Sequence, residues 1–233
     1  MRRPLHLLIS SGPTREPLDP VRFISNYSTG YMGHALAAEA LRRGHHVTVV
    51  SGSSGLPPPR GARVISVERA GDLQQAMRRE APKADVIIMA AAVSDFQPVR
   101  TARRKLARRG ALRLHLKATP DIVGTLPRRR GQLVVGFALE TANAEARARQ
   151  KLQAKRLDLI IGQRMPVSPA RPEHRPGNGH GSPFGRRPVE AVILDARGSV
   201  KRPGRITKPM LARLILDEIN RLWYGGLHDT GET

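Results

Sequence analysis

The stretch ADVIIMAAAV, residues 84–93, carries one charge near its start and is apolar at every later position. Strict alternation would mark a strand with one wet face. A continuous apolar run of this length fits a strand covered on both faces, as in a parallel sheet. Working outward, LHLLISSG (5–12) is a second such run, closed by Gly12 and Pro13, and HVTVVSG (46–52), RVISV (63–67), QLVVGFA (132–138), LDLIIG (157–162) and VEAVILD (189–195) read as further strands. Helical segments lie between them. From Gly30 to Arg43 the apolar positions Met32, Ala35, Leu36 and Ala40 recur at helical spacing, and Gly44 supplies the stop. AGDLQQAMRREA (70–81) has Asp72 near its entrance, TANAEARARQKLQAKR (141–156) is strongly helix-favouring, and a last helix covers about Lys208 to Leu222. This alternation predicts an α/β fold of three layers, a mostly parallel sheet with helices on both faces. In such sheets ligands sit at the carboxyl ends of the strands, so the loops after Ser10, Val93 and Phe137 are where chemistry is expected.

The chain of 233 residues fits one domain of about 224 residues, with GGLHDTGET (225–233) as a tail. It has no run of about 18 apolar residues, and MRRPLHLLISSGPT is broken too early to be a signal peptide, so a cytoplasmic protein without a membrane partner is expected. No cysteine is present, which excludes disulfides, thiolate metal sites and cysteine nucleophiles. The eight histidines show no ligand spacing, so no protein-built metal site is expected. The net charge is +21, from 40 Lys plus Arg against 19 Asp plus Glu, which attracts polyanions. The basic residues are scattered and aromatic residues make up only 3% of the chain, so a small phosphorylated substrate is preferred to a specific nucleic-acid partner.

Several segments lack the core pattern. SDFQPVRTARRKLARRG is polar and basic and leads into the alternating LRLHLK (112–117), so residues 95–117 read as a flap or lid. In TPDIVGTL, Thr119 reads as an N-cap and Pro120 as a first helical residue. Residues 163–188 are rich in Pro and Gly and read as a mobile loop.

At the entrance to the first helix, FISNYSTGYMG (23–33) offers Ser28, Thr29, Gly30 and Gly33 beside unpaired backbone amides. That suits a phosphate, and equally an N-cap with a packing glycine. Arg15 and Arg22 either clamp an anion or pair with Glu16 and Asp19. Asp95 is either a substrate acceptor or a cap, and Lys105 sits in a charge run that, taken alone, is a solvated face.

Taken together, SGPTREPLDPVRFISNYSTGYMGHALAAEALRRGHHVTVVSG, AAAVSDF, KATPDI and VGFALET resemble the phosphopantothenoylcysteine synthetase family, over nearly the whole chain and in order. These are the phosphopantothenate–cysteine ligases of coenzyme A biosynthesis. The resemblance implies a Rossmann-like fold, a homodimer and a reaction in two steps. CTP, with Mg2+, activates the phosphopantothenate carboxylate as an acyl-cytidylate, releasing pyrophosphate; cysteine then attacks through its amine and CMP leaves. It implies Asn26 at the substrate carboxylate, Arg22 at a neighbouring subunit's substrate phosphate, and Ala91 and Asp95 at both nucleotide and pantothenate. Lys105 becomes the lid lysine that stabilises the activated intermediate. The nucleotide-binding set is completed by Gly12, Ser28, Gly30, Gly33, Ala90, Thr119, Pro120, Phe137, Lys151 and Lys155. Bacterial relatives commonly carry a flavin-dependent decarboxylase ahead of this domain, so a stand-alone synthetase with a separate decarboxylase partner is expected.

The sequence also departs from the family. KLAR replaces a lysine-rich KxKK element, Thr119 an Asn, Tyr31 a Lys, and Gly162 and Gln163 an Asn-Asp pair. Arg103, Arg104, Arg108 and Arg109 are candidates to restore the charge. The alternatives to the ligase are a nucleotide-binding relative without turnover and a basic nucleic-acid-binding protein.

Overall fold

The computed structural model describes residues 3–108, 110–165 and 184–227. Twelve strands and four α-helices follow one another along the described chain. The first part runs β1 (His6–Ser11), β2 (Arg15–Pro17), β3 (Phe23–Ser25), α1 (Tyr31–Arg42), β4 (His46–Ser51), β5 (Arg63–Ser66), α2 (Ala70–Glu80), β6 (Val86–Met89), β7 (Phe96–Pro98) and β8 (Leu116–Ala118). It continues with β9 (Leu133–Glu140), α3 (Ala144–Ala154), β10 (Leu159–Arg164), β11 (Val189–Asp195), β12 (Val200–Ile206) and α4 (Lys208–Leu222).

Eight strands form one sheet in the order β12-β11-β10-β9-β6-β1-β4-β5. Pairing is parallel from β5 to β10 and antiparallel at β11 and β12. The predicted mostly parallel, helix-covered sheet is therefore the observed architecture. Strand alternation divides the core: Leu7 and Ile9 of β1 pack with α1 and α4, while Leu8 packs with α2. Helix α3 covers the same face as α2, over Val134, Ile160 and Val192. Each helix is held by an apolar stripe at helical spacing, such as Leu211, Ile215, Ile219 and Leu222 of α4. Helix α4 starts where Thr207 Oγ1 accepts the Met210 N–H at 3.4 Å. Helix α1 ends where Gly44, at φ +80°, takes the left-handed position that a side chain disfavours.

The chain leaves β1 toward β4 and β5, then returns to the other side of β1 with β6, β9 and β10. The carboxyl ends of β1 and β6 thus flank a switch point, where the two directions of winding diverge and open a crevice. A backbone crossing fixes it: Ala92 N–H donates to Gly12 O at 3.0 Å, and Thr14 N–H donates to Ala92 O at 3.3 Å.

Several sequence expectations are corrected. Thr119 is not an N-cap and Pro120 does not open a helix; Thr119 Oγ1 donates to Ser94 O at 2.6 Å, and only a 3-10 turn, Val123–Thr125, follows. Gln163 and Arg164, expected in a mobile loop, continue β10; residues 166–183 of that loop lie outside the described residues, as does Arg109. The expected tail begins with a π-helical turn, Trp223–Leu227, and residues 228–233 lie outside the described residues. The sequence reading passed over two features. VKRPGRI, with Pro203 and Gly204, forms the edge strand β12, and residues 15–25 fold back as the β2–β3 ribbon. In that ribbon Arg15 stacks 4.4 Å over the Phe23 ring, while Glu16 accepts the Ala70 N–H at 2.9 Å instead of pairing with Arg15.

Glu80 is 1% exposed and receives Arg63, Arg79 and Lys83. The hydrogen bond from Arg63 is the chief cause that holds its carboxyl down to about 2, against an ordinary value of 4.5. In that range the unfolded chain takes up a proton that the folded one refuses. The group therefore stabilises above pH 4.5, and its contribution is lost as pH falls toward 2. Acid unfolding of Glu80→Gln, followed by circular dichroism, should show a shallower decline between those values and a loss of about 1–3 kcal/mol at neutral pH.

Candidate functional site

A cleft of about 710 Å3 opens at the switch point. Its walls come from the turn before α1 (Asn26 to Met32), the chain after β6 (Ala90 to Asp95), Thr119 to Val123, Phe137 and Leu139 of β9, and Lys151 and Lys155 of α3. Of the three loops predicted from strand order, the one after β6 lines the cleft directly; β9 contributes from within the strand, and the β1 side contributes through the turn before α1.

The turn before α1 owes its shape to two glycines. Gly30 takes φ +77° and approaches Gly12 so closely that a Cβ would meet Gly12 Cα at 3.1 Å. At Gly33 a Cβ would lie 2.4 Å from Ser11 Oγ, and Ser11 Oγ donates to Gly30 O at 3.0 Å. Helix α1 is thereby drawn against β1 and its first turn is aimed at the cleft. Ser28 Oγ accepts the Gly30 N–H at 3.3 Å and Thr29 Oγ1 accepts the Tyr31 N–H at 3.4 Å. The N-cap residue Gly30 has no side chain with which to cap α1, so beyond the Tyr31 N–H the positive end of its backbone dipole is open to an anion.

Asn26, in the cleft lining, donates through Nδ2 to Ala92 O at 3.0 Å, which among the described residues leaves one amide hydrogen and Oδ1 without a partner. Asp95 is exposed on the rim, and its carboxylate has no hydrogen-bond partner among the described residues. Its backbone O accepts the Thr119 N–H at 3.0 Å. On α3, Lys151 Nζ donates to Phe137 O at 2.7 Å, and Lys155 Nζ donates to Asp121 Oδ2 at 2.5 Å. Burial lowers the Lys151 ammonium below its ordinary value, while Asp121 is lowered chiefly by Lys155 against the opposing effect of burial.

A model of the DNA/pantothenate metabolism flavoprotein C-terminal domain matches residues 3–222. The chain belongs to that family.

Among solved structures, the C-terminal domain of a coenzyme A biosynthesis bifunctional protein CoaBC superposes with a TM-score of 0.75 at 32% identity, over 95% of this chain and 96% of that one. The bifunctional CoaBC of Bacillus subtilis is 44% identical over 159 residues, 67% of this chain and 39% of its own. A cysteine/cysteine sulfinic acid decarboxylase from an unknown prokaryotic organism is 37% identical over 217 residues, 91% of this chain and 57% of its own. The chain thus spans only part of the length of these two curated relatives.

Within this family member, the predicted residues Asn26, Ser28, Gly30, Ala90, Ala91, Asp95, Thr119, Pro120, Phe137, Lys151 and Lys155 all line the cleft. Gly12 and Gly33 lie behind it and act through packing. Arg22 and Lys105 are not in its lining. Arg22 Nε donates to Asp19 Oδ2 at 2.9 Å, so the pairing weighed for Arg22 in the sequence is formed, and its Nη2 donates to Leu106 O at 2.7 Å. The cleft also gathers Asp121, Gln163 and Lys208, to which the sequence assigned no role, although Asp121 lies in KATPDI and Gln163 at the family's Asn-Asp pair. Lys208 gave one faint signal, since a lysine in the first turn opposes the helix dipole.

Asp19 ties down the chain at Leu106. It is 2% exposed, and its Oδ2 accepts the Leu106 N–H at 3.0 Å as well as Arg22. Those donors, with its own turn amides, hold its carboxyl well below the ordinary range despite burial. Asp19→Ala should release the segment around Leu106. Trypsin should then cut at Arg103 and Arg104 about tenfold faster than in the parent, read by mass spectrometry, with cleavage elsewhere little changed.

Proposed function

We propose that this chain is a phosphopantothenate–cysteine ligase-type domain of coenzyme A biosynthesis. The observation that carries the proposal is the convergence of eleven predicted residues, scattered from Asn26 to Lys155, on one cleft at the sheet's switch point. The family match and the CoaBC relatives support the same reading.

In this proposal a nucleoside triphosphate, CTP or ATP, lies between the first turn of α1 and the ammonium groups of Lys151 and Lys155. Asn26 holds the phosphopantothenate carboxylate through its free amide hydrogen, close to the peptide of Ala91 and to Asp95. The carboxylate displaces pyrophosphate from the nucleotide to give an acyl-nucleotide. The amine of cysteine then attacks the acyl carbon, forming the amide and expelling CMP or AMP. No protein nucleophile takes part, which suits a chain without cysteine. Lys105, from the lid, is assigned to the negative charge that develops in the first step.

Mg2+ enters as the partner of the nucleotide phosphates. Among the described residues no group of three or more His, Asp or Glu side chains could hold a metal ion. One or two carboxylates plus substrate phosphates are the usual Mg2+ set, and Asp95 on the rim fits that part. A homodimer gives Arg22 its use, since it lies outside its own cleft and would reach the neighbour's. Among the described residues no helix is long and apolar enough to cross a membrane.

A second reading, a nucleotide-binding relative without turnover, is favoured by KLAR in place of the lysine-rich element and by the position of Lys105 outside the cleft lining. Incubation with 4'-phosphopantothenate, cysteine, Mg2+ and either CTP or ATP separates the two. The ligase releases pyrophosphate and the nucleoside monophosphate in step with product, whereas binding without release supports the second reading. Lys105→Gln should lower kcat by about 100-fold with an unchanged circular dichroism spectrum, a loss on the scale of one transition-state charge contact. Parental turnover in that variant would remove Lys105 from the chemistry.

A further inference from the structure

Two buried donors, Lys208 and Gln163, line the cleft away from Lys151 and Lys155. Helix α3, which carries Lys151 and Lys155, lies on one face of the sheet, and α4, which begins with Lys208, lies on the other. Ile161, two residues before Gln163, packs in the core beneath α1 and α4, so strand alternation turns Gln163 to that same face.

Lys208 is placed against three physical preferences. It is 5% exposed, so its ammonium is desolvated. It opens α4, where the backbone dipole is positive and repels a cation. Among the described residues no carboxylate pairs with it; Nζ makes one hydrogen bond, to Gly185 O at 2.7 Å, leaving two of its three donors unused. Burial alone pushes it down to about 8. Gln163 adds an orphan of its own, since Nε2 is buried without a hydrogen-bond partner. Unpaired buried donors are costly and rare, and here a desolvated cation and an amide N–H border the same cavity.

We infer that Lys208 and Gln163 form a phosphoryl-anion subsite on the α1/α4 side of the cleft, separate from the one assigned to Lys151 and Lys155. A phosphoryl group supplies what both lack: negative charge for the ammonium and acceptor oxygens for both sets of N–H groups. Tyr31 borders the same region, and Arg186 lies 5.8 Å over its ring, which adds positive charge near the entrance. The group has two possible sources, the polyphosphate of a nucleotide and the phosphate of phosphopantothenate. The inference rests on the ligase reading only for the names of these ligands.

Calorimetric titration of the full chain tests it, with CTP, CMP, pyrophosphate and 4'-phosphopantothenate as separate probes. Lys208→Met keeps the length of the side chain and removes the charge. Its affinity should fall 10- to 100-fold, the range of a hydrogen bond to a charged group, while its melting temperature stays level or rises, because an uncompensated buried cation is gone. Gln163→Leu should weaken the same probes three- to tenfold, and it carries the test if Lys208→Met does not fold. Losses confined to CTP and pyrophosphate identify the polyphosphate; losses confined to phosphopantothenate identify the acyl substrate. Affinities within twofold of the parent in both variants overturn the subsite, as does a lower melting temperature with affinities unchanged, which marks Lys208 as a tether for Gly185. Lys208-dependent binding of pyrophosphate without binding of CTP or phosphopantothenate keeps the subsite and removes the ligase reading. A parent chain that binds none of the four probes removes both.

Discussion

Everything in the cleft depends on how closely two backbones pass at the ends of β1 and β6. Gly12 O receives the Ala92 N–H, Ala92 O receives the Thr14 N–H and the Asn26 carboxamide, and Gly30 rests against Gly12. These contacts join the loop after β1, the loop after β6 and the turn before α1 into one support. Small residues are required because, the Asn26 carboxamide aside, these contacts are made main chain to main chain. The same packing that closes the core therefore sets the positions of Asn26, Ala91 and the first turn of α1.

Charge is organised on a different principle. Most buried carboxylates have guanidinium or ammonium partners: Glu39 meets Arg42 and Arg43, Glu80 meets Arg63, and Asp195 meets Arg221. These basic side chains are thereby tied to the scaffold. The cleft holds an exception, since Lys208 lacks a counter-ion among the described residues and Gly30 offers α1 no side-chain cap. The net charge of +21 thus says less about function than a desolvated cation such as Lys208 does.

What could be read from the sequence follows from how local each signal is. ADVIIMAAAV and LHLLISSG revealed the sheet because burial on both faces leaves a continuous apolar run. VKRPGRI did not read as a strand, because an antiparallel edge needs few apolar residues and tolerates proline. Thr119 misled for a related reason: its hydroxyl looks like a cap, yet it is committed to Ser94 O, 25 residues earlier in the chain. Asn26, Gly30 and Asp95 lie in compact motifs and were legible. Asp121 and Lys208 acquire their surroundings only when distant segments meet, so no spacing announces them. Lys105 and Arg22 show the converse, since the family resemblance assigns both a role and a single chain leaves both outside the cleft lining.

The two ends of the sheet carry a further implication. On one side it ends in β12, where Lys201, Arg202, Pro203 and Arg205 occupy the outer strand; on the other it ends in β5, only four residues long. Cations repel a like strand, and proline offers no N–H to it. Neither border of the eight-stranded sheet is therefore suited to extending it into a neighbouring molecule, and aggregation by pairing at these two edges is disfavoured.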